Sequence, residues 1–396
     1  MKLLFLIVLA YLVMPIIGLF TVYLNNINLV AGDVTKELII FNAVFVSIIL
    51  AIISVFFFRI KLSMNLIATN KDYRTLKRVA IIMTGVCLVV FYMSGYDYIF
   101  RNINRGELRV SFGAFGFLNK WLTIYVVPLL LALVTLIKLS NKFKTGLYWY
   151  VYLLGFLSAL FTGYKFVVIL VFIPSLIIIF YNKNIIKISL YISPAVLAIL
   201  TFTTKMVMHF ENYKDAFNFL LHRMTVMSAF GSIGVYNQYP TGANWNESHY
   251  LLYSIFGNNL NSYFFGIDFN TIESLQTNLS RKISYLVYPA WDKALSGESN
   301  VTVTNFGEAY YIFGYNFWIY ACVCSVVTYF MFYKINYHAN KGNRIAFLLY
   351  LIFFVAVILS WFNSSSFFIL FSIPVIIYMI MSYFLLILIL RSKVLS

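Results

Sequence analysis

Long apolar runs separated by short polar breaks make up most of the chain, and one polar stretch, residues 205–305, is far longer than the other breaks. A run of about 20 largely apolar residues has the length of a helix that crosses the hydrocarbon core of a bilayer. Helices are expected because backbone groups in lipid must hydrogen-bond within their own segment, and the runs lack the alternation of membrane β-strands. The ten predicted spans are 3–24, 37–58, 79–97, 121–139, 147–164, 166–181, 187–204, 306–333, 345–361 and 367–390.

This pattern divides the chain into three parts. Residues 1–204 hold seven predicted spans, residues 205–305 form a large polar loop, and residues 306–396 hold the other three spans. A loop of this size is where such a chain has room for a bulky polar substrate. We therefore expect the chemistry of the protein within this loop and at its two ends.

Residues 214–236 of the loop are apolar enough to suggest an eleventh span. An eleventh crossing would place His222 and Arg223 near the middle of the bilayer, where an arginine costs about 3 kcal/mol. It would also move the basic residues of 334–344 and 391–393 to the opposite face. We therefore interpret 214–236 as an amphipathic or re-entrant helix that lies at the outer surface.

Composition indicates the same class of protein. Hydrophobic residues make up 62% of the chain and charged residues 11%, with 40 Phe and 31 Tyr. The mean hydropathy is +0.86. Soluble domains are not built this way, so we predict an all-α polytopic membrane protein with about ten transmembrane helices and one large extracytoplasmic loop.

Basic residues are distributed unevenly between the two predicted faces. The break 59–78 carries six basic residues and one acid, Asp72, whereas 25–36 carries one residue of each sign. With basic breaks on the cytoplasmic side, that face collects 17 basic residues and one acid, and the outer face holds the other 12 basic and 12 acidic residues. The charge therefore predicts topology, with both termini cytoplasmic and the large loop outside. It does not indicate nucleic acid as a partner.

Cysteine and histidine give no sign of a metal or cofactor site. Cys87, Cys322 and Cys324 all fall in predicted spans, and the four histidines form no HExxH or HxH pattern. Glycine-rich phosphate loops, a G-x-S-x-G turn and ATPase motifs are also missing. We expect neither a metal nor a cofactor, so the energy for any reaction must come from the substrate itself.

Two cations are hard to explain by topology. Lys165 lies in a tight turn between two apolar runs, where it is either an interfacial lysine that extends toward water or a cation beside a lipid-linked phosphate. Arg223 has apolar neighbours on both sides, which is unusual for a solvated loop arginine and favours a functional role. It begins a stretch whose small residues permit close helix packing, namely Ser228, Gly231, Ser232 and Gly234.

A third basic feature is the series Arg101, Arg105 and Arg109, which recurs at every fourth position. If this piece is helical, the three side chains share one face. Such a face suits a polyanion, a lipid headgroup or a diphosphate. A generic basic stripe at the membrane interface is the simpler alternative.

The end of the loop carries candidate acidic and aromatic groups. Asn305 followed three residues later by Glu308 fits a capping box, so Glu308 is either a helix cap or a catalytic or sugar-binding carboxylate. Glu298 lies just before it and could bind a sugar hydroxyl or only water. Tyr310 could stack on a sugar face or belong to an aromatic belt.

Together these features resemble a Wzy-type O-antigen or capsule polymerase, an oligosaccharide repeat-unit polymerase of bacterial envelopes. The resemblance rests on the number of spans, the dominant outer loop 205–305, the turn at Lys165 and the segment GEAYYIFG that leads into the next helix. Arg223 and Gly234 also have the spacing of arginine, ten residues and glycine seen in outer loops of this family. The family often has an arginine at the position of Lys165.

The resemblance implies a fold of the GT-C-like polymerase or ligase type and a definite reaction. A growing glycan on undecaprenyl diphosphate would be transferred to a fresh lipid-linked repeat unit on the outer face of the bacterial cytoplasmic (inner) membrane. Cations on the leaving diphosphate would then be Arg223 and Lys165, with Arg281 as a further candidate. Glu308 is the first candidate for the base near the acceptor hydroxyl, and His249 is the second.

The expected partners are undecaprenyl-diphosphate-linked glycans and membrane lipid, with a chain-length regulator and a flippase as further protein partners. Two alternatives stay open. An O-antigen ligase would deliver the glycan to a lipid A core by the same chemistry, and a polysaccharide flippase would move it without chemistry. A flippase more often shows repeated halves and short loops, neither of which we see in this sequence.

Overall fold

The computed structural model describes residues 2–59, 64–66, 72–101, 115–141, 146–163, 165–181, 183, 185–208, 210–289, 291–297, 300–363 and 366–391. All regular secondary structure in these ranges is helical. The first part of the chain contains helices α1 (Lys2–Leu24), α2 (Lys36–Arg59), α3 (Asp72–Val90), α4 (Tyr96–Phe100), α5 (Phe115–Lys120), α6 (Val127–Asn141), α7 (Gly146–Phe161), α8 (Lys165–Leu170), α9 (Ile173–Ile179) and α10 (Ile185–Met208).

The large polar segment is itself folded into short helices. These are α11 (Tyr213–Met224), α12 (Val226–Gln238), α13 (Trp245–Ser248), α14 (Asn258–Phe265), α15 (Ile272–Gln276), α16 (Leu279–Val287) and α17 (Trp291–Leu295), with a 3₁₀ helix over His249–Ile255 between α13 and α14.

The last part of the chain returns to long apolar helices. It contains α18 (Asn305–Phe313), α19 (Phe317–Asn340), α20 (Arg344–Phe353), α21 (Leu359–Asn363) and α22 (Ile373–Arg391), with a 3₁₀ helix over Phe367–Phe371 before α22. Three π-helical segments continue α3 into α4, α5 into α6 and α20 into α21, over Phe91–Gly95, Trp121–Val126 and Phe354–Ile358.

Seven helical stretches among the described residues are long and apolar enough to cross a membrane. Three shorter apolar helices, over Gly146–Phe161, Val167–Ile179 and Ser193–Phe202, lie where the sequence predicts the fifth, sixth and seventh spans. The described residues therefore form an all-helical polytopic membrane protein, in which seven stretches of full spanning length are found where the sequence predicts ten spans. The stretch Ser193–Phe202 belongs to α10, which as a helix runs over 24 residues. The seven are Lys2–Leu24, Lys36–Val55, Tyr73–Gly95, Phe115–Leu139, Trp318–Asn340, Arg344–Asn363 and Ile373–Leu390.

Two predicted spans are interrupted by residues that end helices. The span predicted over 166–181 is divided into α8 and α9, and Pro174 lies in the first turn of α9, where its missing N–H costs least. The span predicted over 306–333 is divided at Gly314, which has a φ of 53°. The crossing helix therefore begins only after Gly314, and α18 is a separate element.

The helix predicted over 214–236 is divided in two. It consists of two helices that meet at Thr225, and most of α12 is buried against other parts of the protein. The cause is a contact with α1: a Cβ on Gly18 would lie only 2.2 Å from the carbonyl oxygen of Thr225. Gly18 precedes the end of α1 by about six residues, or roughly 9 Å along the axis. The chain thus enters the bundle at Thr225.

From Thr225, α12 runs to the end of the bundle that the charge pattern assigns to the outer face. There Asn237 Nδ2 donates to the Asp33 carbonyl oxygen at 3.0 Å, and the Tyr236 hydroxyl donates to Glu37 Oε2 at 3.0 Å. Both partners belong to the connection between α1 and α2 and the start of α2. Hydrogen bonds between residues far apart in the sequence therefore join α12 to the α1–α2 connection and to the start of α2 at this end of the bundle.

Small residues let α12 pack against the chain that leads into α18. The Ser232 and Thr304 hydroxyls lie 2.8 Å apart, and a Cβ on Gly307 would be 2.8 Å from Ser232 Oγ. The backbone N–H of Gly231 donates to the Thr302 carbonyl oxygen at 3.1 Å. The close packing expected from the small residues of 228–234 is therefore present, and its partner is the end of the polar segment.

Replacing Gly231 by alanine is expected to destabilise the protein by about 1–3 kcal/mol because the new methyl group would overpack the interface. Its Cβ would lie 2.3 Å from the Thr302 carbonyl oxygen, a backbone atom that cannot turn aside. The melting temperature of the detergent-solubilised protein measures the effect. Gly85→Ala is the matched control: no atom lies within 4 Å of its added Cβ, and alanine favours a helix by up to about 1 kcal/mol. Equal melting temperatures for the two variants would contradict the proposed packing.

Candidate functional site

A buried carboxylate lies where the polar segment returns to the apolar bundle. Glu308 is on α18, and its side chain is 2% exposed. Gly314 ends α18 with a positive φ, and a Cβ there would be 2.2 Å from the Thr241 carbonyl oxygen. Only glycine fits this turn. The turn folds α18 back along α19 and so brings Glu308 beside Tyr320.

Donors from three other elements surround the Glu308 carboxylate. The Tyr320 hydroxyl of α19 donates to Oε2, and the backbone N–H of Phe367 donates to Oε1 at 2.7 Å. The Trp361 indole N–H lies 3.3 Å from Oε2 and 2.9 Å from the Tyr320 oxygen. Because these donors come from α19, α21 and the 3₁₀ helix before α22, Glu308 ties the last helices of the bundle together.

This arrangement excludes the capping-box interpretation of Asn305 and Glu308. The N-cap of α18 is Thr304, which makes no side-chain capping bond, and the Glu308 carboxylate is bound by the donors of the later helices. The Asn305 side-chain amide also bonds to α21 and does not cap α18. With its nitrogen turned toward α21, it donates to the Trp361 and Phe362 carbonyl oxygens at 3.2 and 3.1 Å.

Burial raises the pKa of Glu308 to about 7, and the hydrogen bonds from Tyr320, Phe367, Ser366 and Trp361 oppose this increase. A carboxyl group with a pKa near neutrality exchanges its proton readily at physiological pH, which is the property required of a general acid or base. Among the described residues, no group of three or more His, Cys, Asp or Glu side chains could hold a metal ion.

A second polar cluster lies within the large polar segment and was not predicted. Lys282 Nζ donates to Glu247 Oε2 at 3.1 Å and to the Tyr311 hydroxyl at 2.9 Å. The rings of Tyr239 and Tyr311 are each centred 5.3 Å from the same nitrogen. Burial lowers the pKa of Lys282, and the hydrogen bond with Glu247 partly restores it. This cluster joins α12, α13, α16 and α18, so it holds the polar segment against the helix that carries Glu308.

Arg281, a candidate for binding diphosphate, is buried on α16 and is only 3% exposed. Its guanidinium donates to the carbonyl oxygens of Phe269 at 2.9 Å, Leu295 at 2.6 Å and Ala294 at 3.3 Å, and it lies 4.1 Å from the centre of the Phe269 ring. Burial lowers its pKa to about 10. These contacts assign Arg281 to the internal support of the polar segment, in contrast to the role expected from its charge.

Replacing Arg281 by alanine is expected to loosen the polar segment and to cost about 3 kcal/mol, because three buried carbonyl groups lose a charged donor. Limited proteolysis of the protein in detergent should cut residues 250–300 faster than in the parent. Lys293→Ala is the control, since Lys293 is exposed in the same segment. Unchanged cleavage of the Arg281 variant would show that these hydrogen bonds do not hold the segment.

Arg223 is exposed in the last turn of α11, just before the chain bends at Thr225. None of the acidic side chains that the structure describes forms an ion pair with it. His249 begins the 3₁₀ helix, with Nδ1 3.1 Å from the Trp245 carbonyl oxygen and its ring 4.3 Å from that of Tyr250. Lys165 is the first residue of α8, and its side chain lies outside the described atoms.

The remaining candidates fall into two groups. Arg101 pairs with Asp97 at 3.3 Å and lies over the Tyr96 ring at 5.6 Å, whereas Arg105, Arg109 and Glu298 lie outside the described residues. Tyr310 is 1% exposed, and its hydroxyl donates to the Pro240 carbonyl oxygen at 2.5 Å. Its ring is enclosed by other aromatic side chains, so it belongs to the core and does not face a sugar. The surrounding rings are Phe41, Tyr236, Phe306 and Tyr315.

Comparison of the chain with protein-family models, with curated proteins and with solved structures finds no match.

Proposed function

We propose that this chain polymerises undecaprenyl-diphosphate-linked oligosaccharide repeat units into O-antigen or capsular polysaccharide on the outer face of the bacterial cytoplasmic membrane. The proposal starts from the sequence resemblance and uses the geometry of the polar segment. In the reaction, an acceptor hydroxyl oxygen bonds to the anomeric carbon of the donor glycan. The bond from that carbon to undecaprenyl diphosphate breaks, and the leaving diphosphate keeps the electron pair.

The observation that carries the proposal is that both ends of the polar segment are built into the apolar bundle. At one end α12 packs on α1 from Gly18 onward, and at the other end α18 carries Glu308 into contact with Tyr320. A substrate with a lipid tail and a polar head reacts at the boundary between lipid and water. Titratable groups held at this boundary are therefore what such an enzyme requires.

A groove between α10 and α11 suits the lipid part of the substrate. It has a volume of about 570 Å³, within the range of about 300–1,000 Å³ typical of small-molecule sites. Its walls are mainly apolar and include Pro194, Leu197, Ala198 and Phe217, together with Lys214. Because α11 also carries Arg223, one short helix offers both an apolar wall and a free cation.

In this proposal Arg223 and Lys165 stabilise the negative charge that develops on the leaving diphosphate. Glu308 takes the proton of the acceptor hydroxyl, and His249 is the second candidate for that role. Arg281 and Tyr310 act by holding the polar segment together. The protein needs no further source of energy, since the diphosphate is the leaving group.

The direct test is polymerisation by the purified full-length protein in lipid nanodiscs with synthetic lipid-linked repeat units. A ladder of products longer than one repeat unit is the expected result. Transfer of single units to an added lipid A core acceptor without lengthening would favour a ligase. Movement of the labelled lipid across a vesicle bilayer without any new glycosidic bond would favour a flippase. Either result would overturn the proposal.

A further inference from the structure

Three consecutive aromatic residues form an exposed tip on the polar segment. Tyr263, Phe264 and Phe265 are 81%, 60% and 43% exposed at the end of α14, which stops at Gly266 in a left-handed conformation. We call these three residues the aromatic tip. Contiguous apolar exposure of this kind usually marks a surface that contacts a partner or a membrane.

The aromatic tip is supported from behind. The ring of Phe265 lies 4.6 Å from that of Tyr253 and 5.1 Å from that of Phe256, and the Phe264 ring lies 6.4 Å from that of Phe256. Edge-to-face contacts of this kind stabilise aromatic pairs in defined positions. The exposed rings of the tip are therefore held in place by contacts with Tyr253 and Phe256, which form its base.

The base of the aromatic tip meets the beginning of a candidate membrane span. A Cβ on Gly257, the residue before α14, would lie 3.3 Å from Pro374 in the first turn of α22. The 3₁₀ helix His249–Ile255 also packs against the 3₁₀ helix Phe367–Phe371, whose Phe371 is 54% exposed. The base of the tip thus lies beside the first turn of α22, where this candidate span begins.

Charge near the aromatic tip identifies the kind of contact. Residues 250–280 contain no lysine or arginine and two acids, Asp268 and Glu273. A surface of this charge gains nothing from anionic headgroups, whereas aromatic rings are favoured at the interface between lipid and water. Aromatic faces also stack on sugars, but the position beside the end of α22 favours lipid.

We infer that the aromatic tip inserts into the membrane interface at the Ile373 end of α22 and anchors the polar segment to the bilayer. With this anchor, the polar segment is attached both to the apolar bundle and to the lipid beside the bundle. The inference depends only on the membrane fold and the position of α14, so it is independent of the proposed polymerase activity.

The test uses an environment-sensitive NBD fluorophore on the full-length protein in phosphatidylcholine nanodiscs. The fluorophore is attached to Phe264→Cys and, separately, to Tyr263→Cys, the most exposed position of the tip. The background variant carries Cys322→Ser, since Cys87 and Cys324 are buried. Asn270→Cys is the matched control, because Asn270 is exposed in the same polar segment and outside the tip.

The fluorophores at 264 and 263 should emit at shorter wavelength than the one at 270 and lose most of their emission to spin-labelled lipids. The fluorophore at 270 should respond to a water-soluble quencher instead. Adding phosphatidylglycerol should leave the quenching at 264 unchanged, because residues 250–280 contain no lysine or arginine. The inference is overturned if 264 and 263 behave like 270, if both quenchers fail at 264 because protein covers it, or if protection at 264 appears only when glycan is added.

Discussion

Arg223→Ala should abolish long glycan chains while the protein remains in the membrane at its normal level. Arg223 is an exposed cation beside the bend between α11 and α12, and a hydrogen bond from a charged donor to a phosphate contributes about 1.5–3 kcal/mol. Its loss corresponds to a decrease of about 10- to 100-fold in the rate of polymerisation. The rate is measured from product ladders with lipid-linked repeat units in nanodiscs.

Two further variants separate a role in diphosphate binding from a general effect of charge. Arg223→Lys should restore part of the activity, since lysine keeps the charge but loses the bidentate geometry. Lys293→Ala, in the same polar segment and outside the groove, removes an exposed cation of the same sign and should reduce the rate much less. Normal ladders from Arg223→Ala would remove Arg223 from the mechanism.

The stability of the protein should fall as the pH rises from about 4.5 to about 7, and Glu308 is the reason. Its pKa is raised from 4.5 to about 7 by burial, so the folded state binds the proton more tightly than the unfolded state. The free energy of unfolding is therefore highest below pH 4.5 and reaches its lower limit above pH 7. The difference is about 3 kcal/mol. The melting temperature in detergent, followed by tryptophan emission, reports this change, and Trp361 lies beside the carboxylate.

Glu308→Gln should remove most of this pH dependence because glutamine does not ionise, although its amide can still accept from Tyr320. Glu273→Gln changes an exposed glutamate of the polar segment and should leave the decline in place. A wild-type melting temperature that is flat between pH 4.5 and 7 would show that Glu308 does not titrate in this range. Polymerisation by Glu308→Gln should be lost at every pH, since the proposed base is gone.

Sequence patterns located most of the membrane helices, because crossing a bilayer depends on the composition of a local run of residues. The same patterns were less accurate in predicting where individual helices end or bend. The bend at Thr225 depends on Gly18, which is far away in the chain, and the end of α18 depends on the contact of Gly314 with Thr241. A local pattern contains neither contact, so the sequence predicted one amphipathic or re-entrant helix in the first case and one continuous span in the second.

The environment of the candidate site residues also depends on contacts that a local sequence pattern does not contain. Glu308 was recognised from its position at the start of an apolar run, but its donors Tyr320, Trp361 and Phe367 come together only through the folding of three helices. Arg281 was a candidate for binding the leaving diphosphate, yet both Arg281 and the adjacent Lys282 are buried. The partners of Arg281 are backbone carbonyl groups, and the charged partner of Lys282, Glu247, lies 35 residues away in the sequence. Neither arrangement is visible in a local pattern.

The contact between α1 and α12 also determines the order in which the protein can be assembled. α1 is synthesised long before its neighbour on the Gly18 side, since Asn237 of α12 and its partner Asp33 are 204 residues apart in the sequence. α1 packs on α21 as well, close to the C-terminal end. Contacts at such separation are slow to form because a long loop must close first. During biogenesis the Gly18 face of α1 must therefore be covered by lipid or by an insertion factor until α12 has folded back onto it.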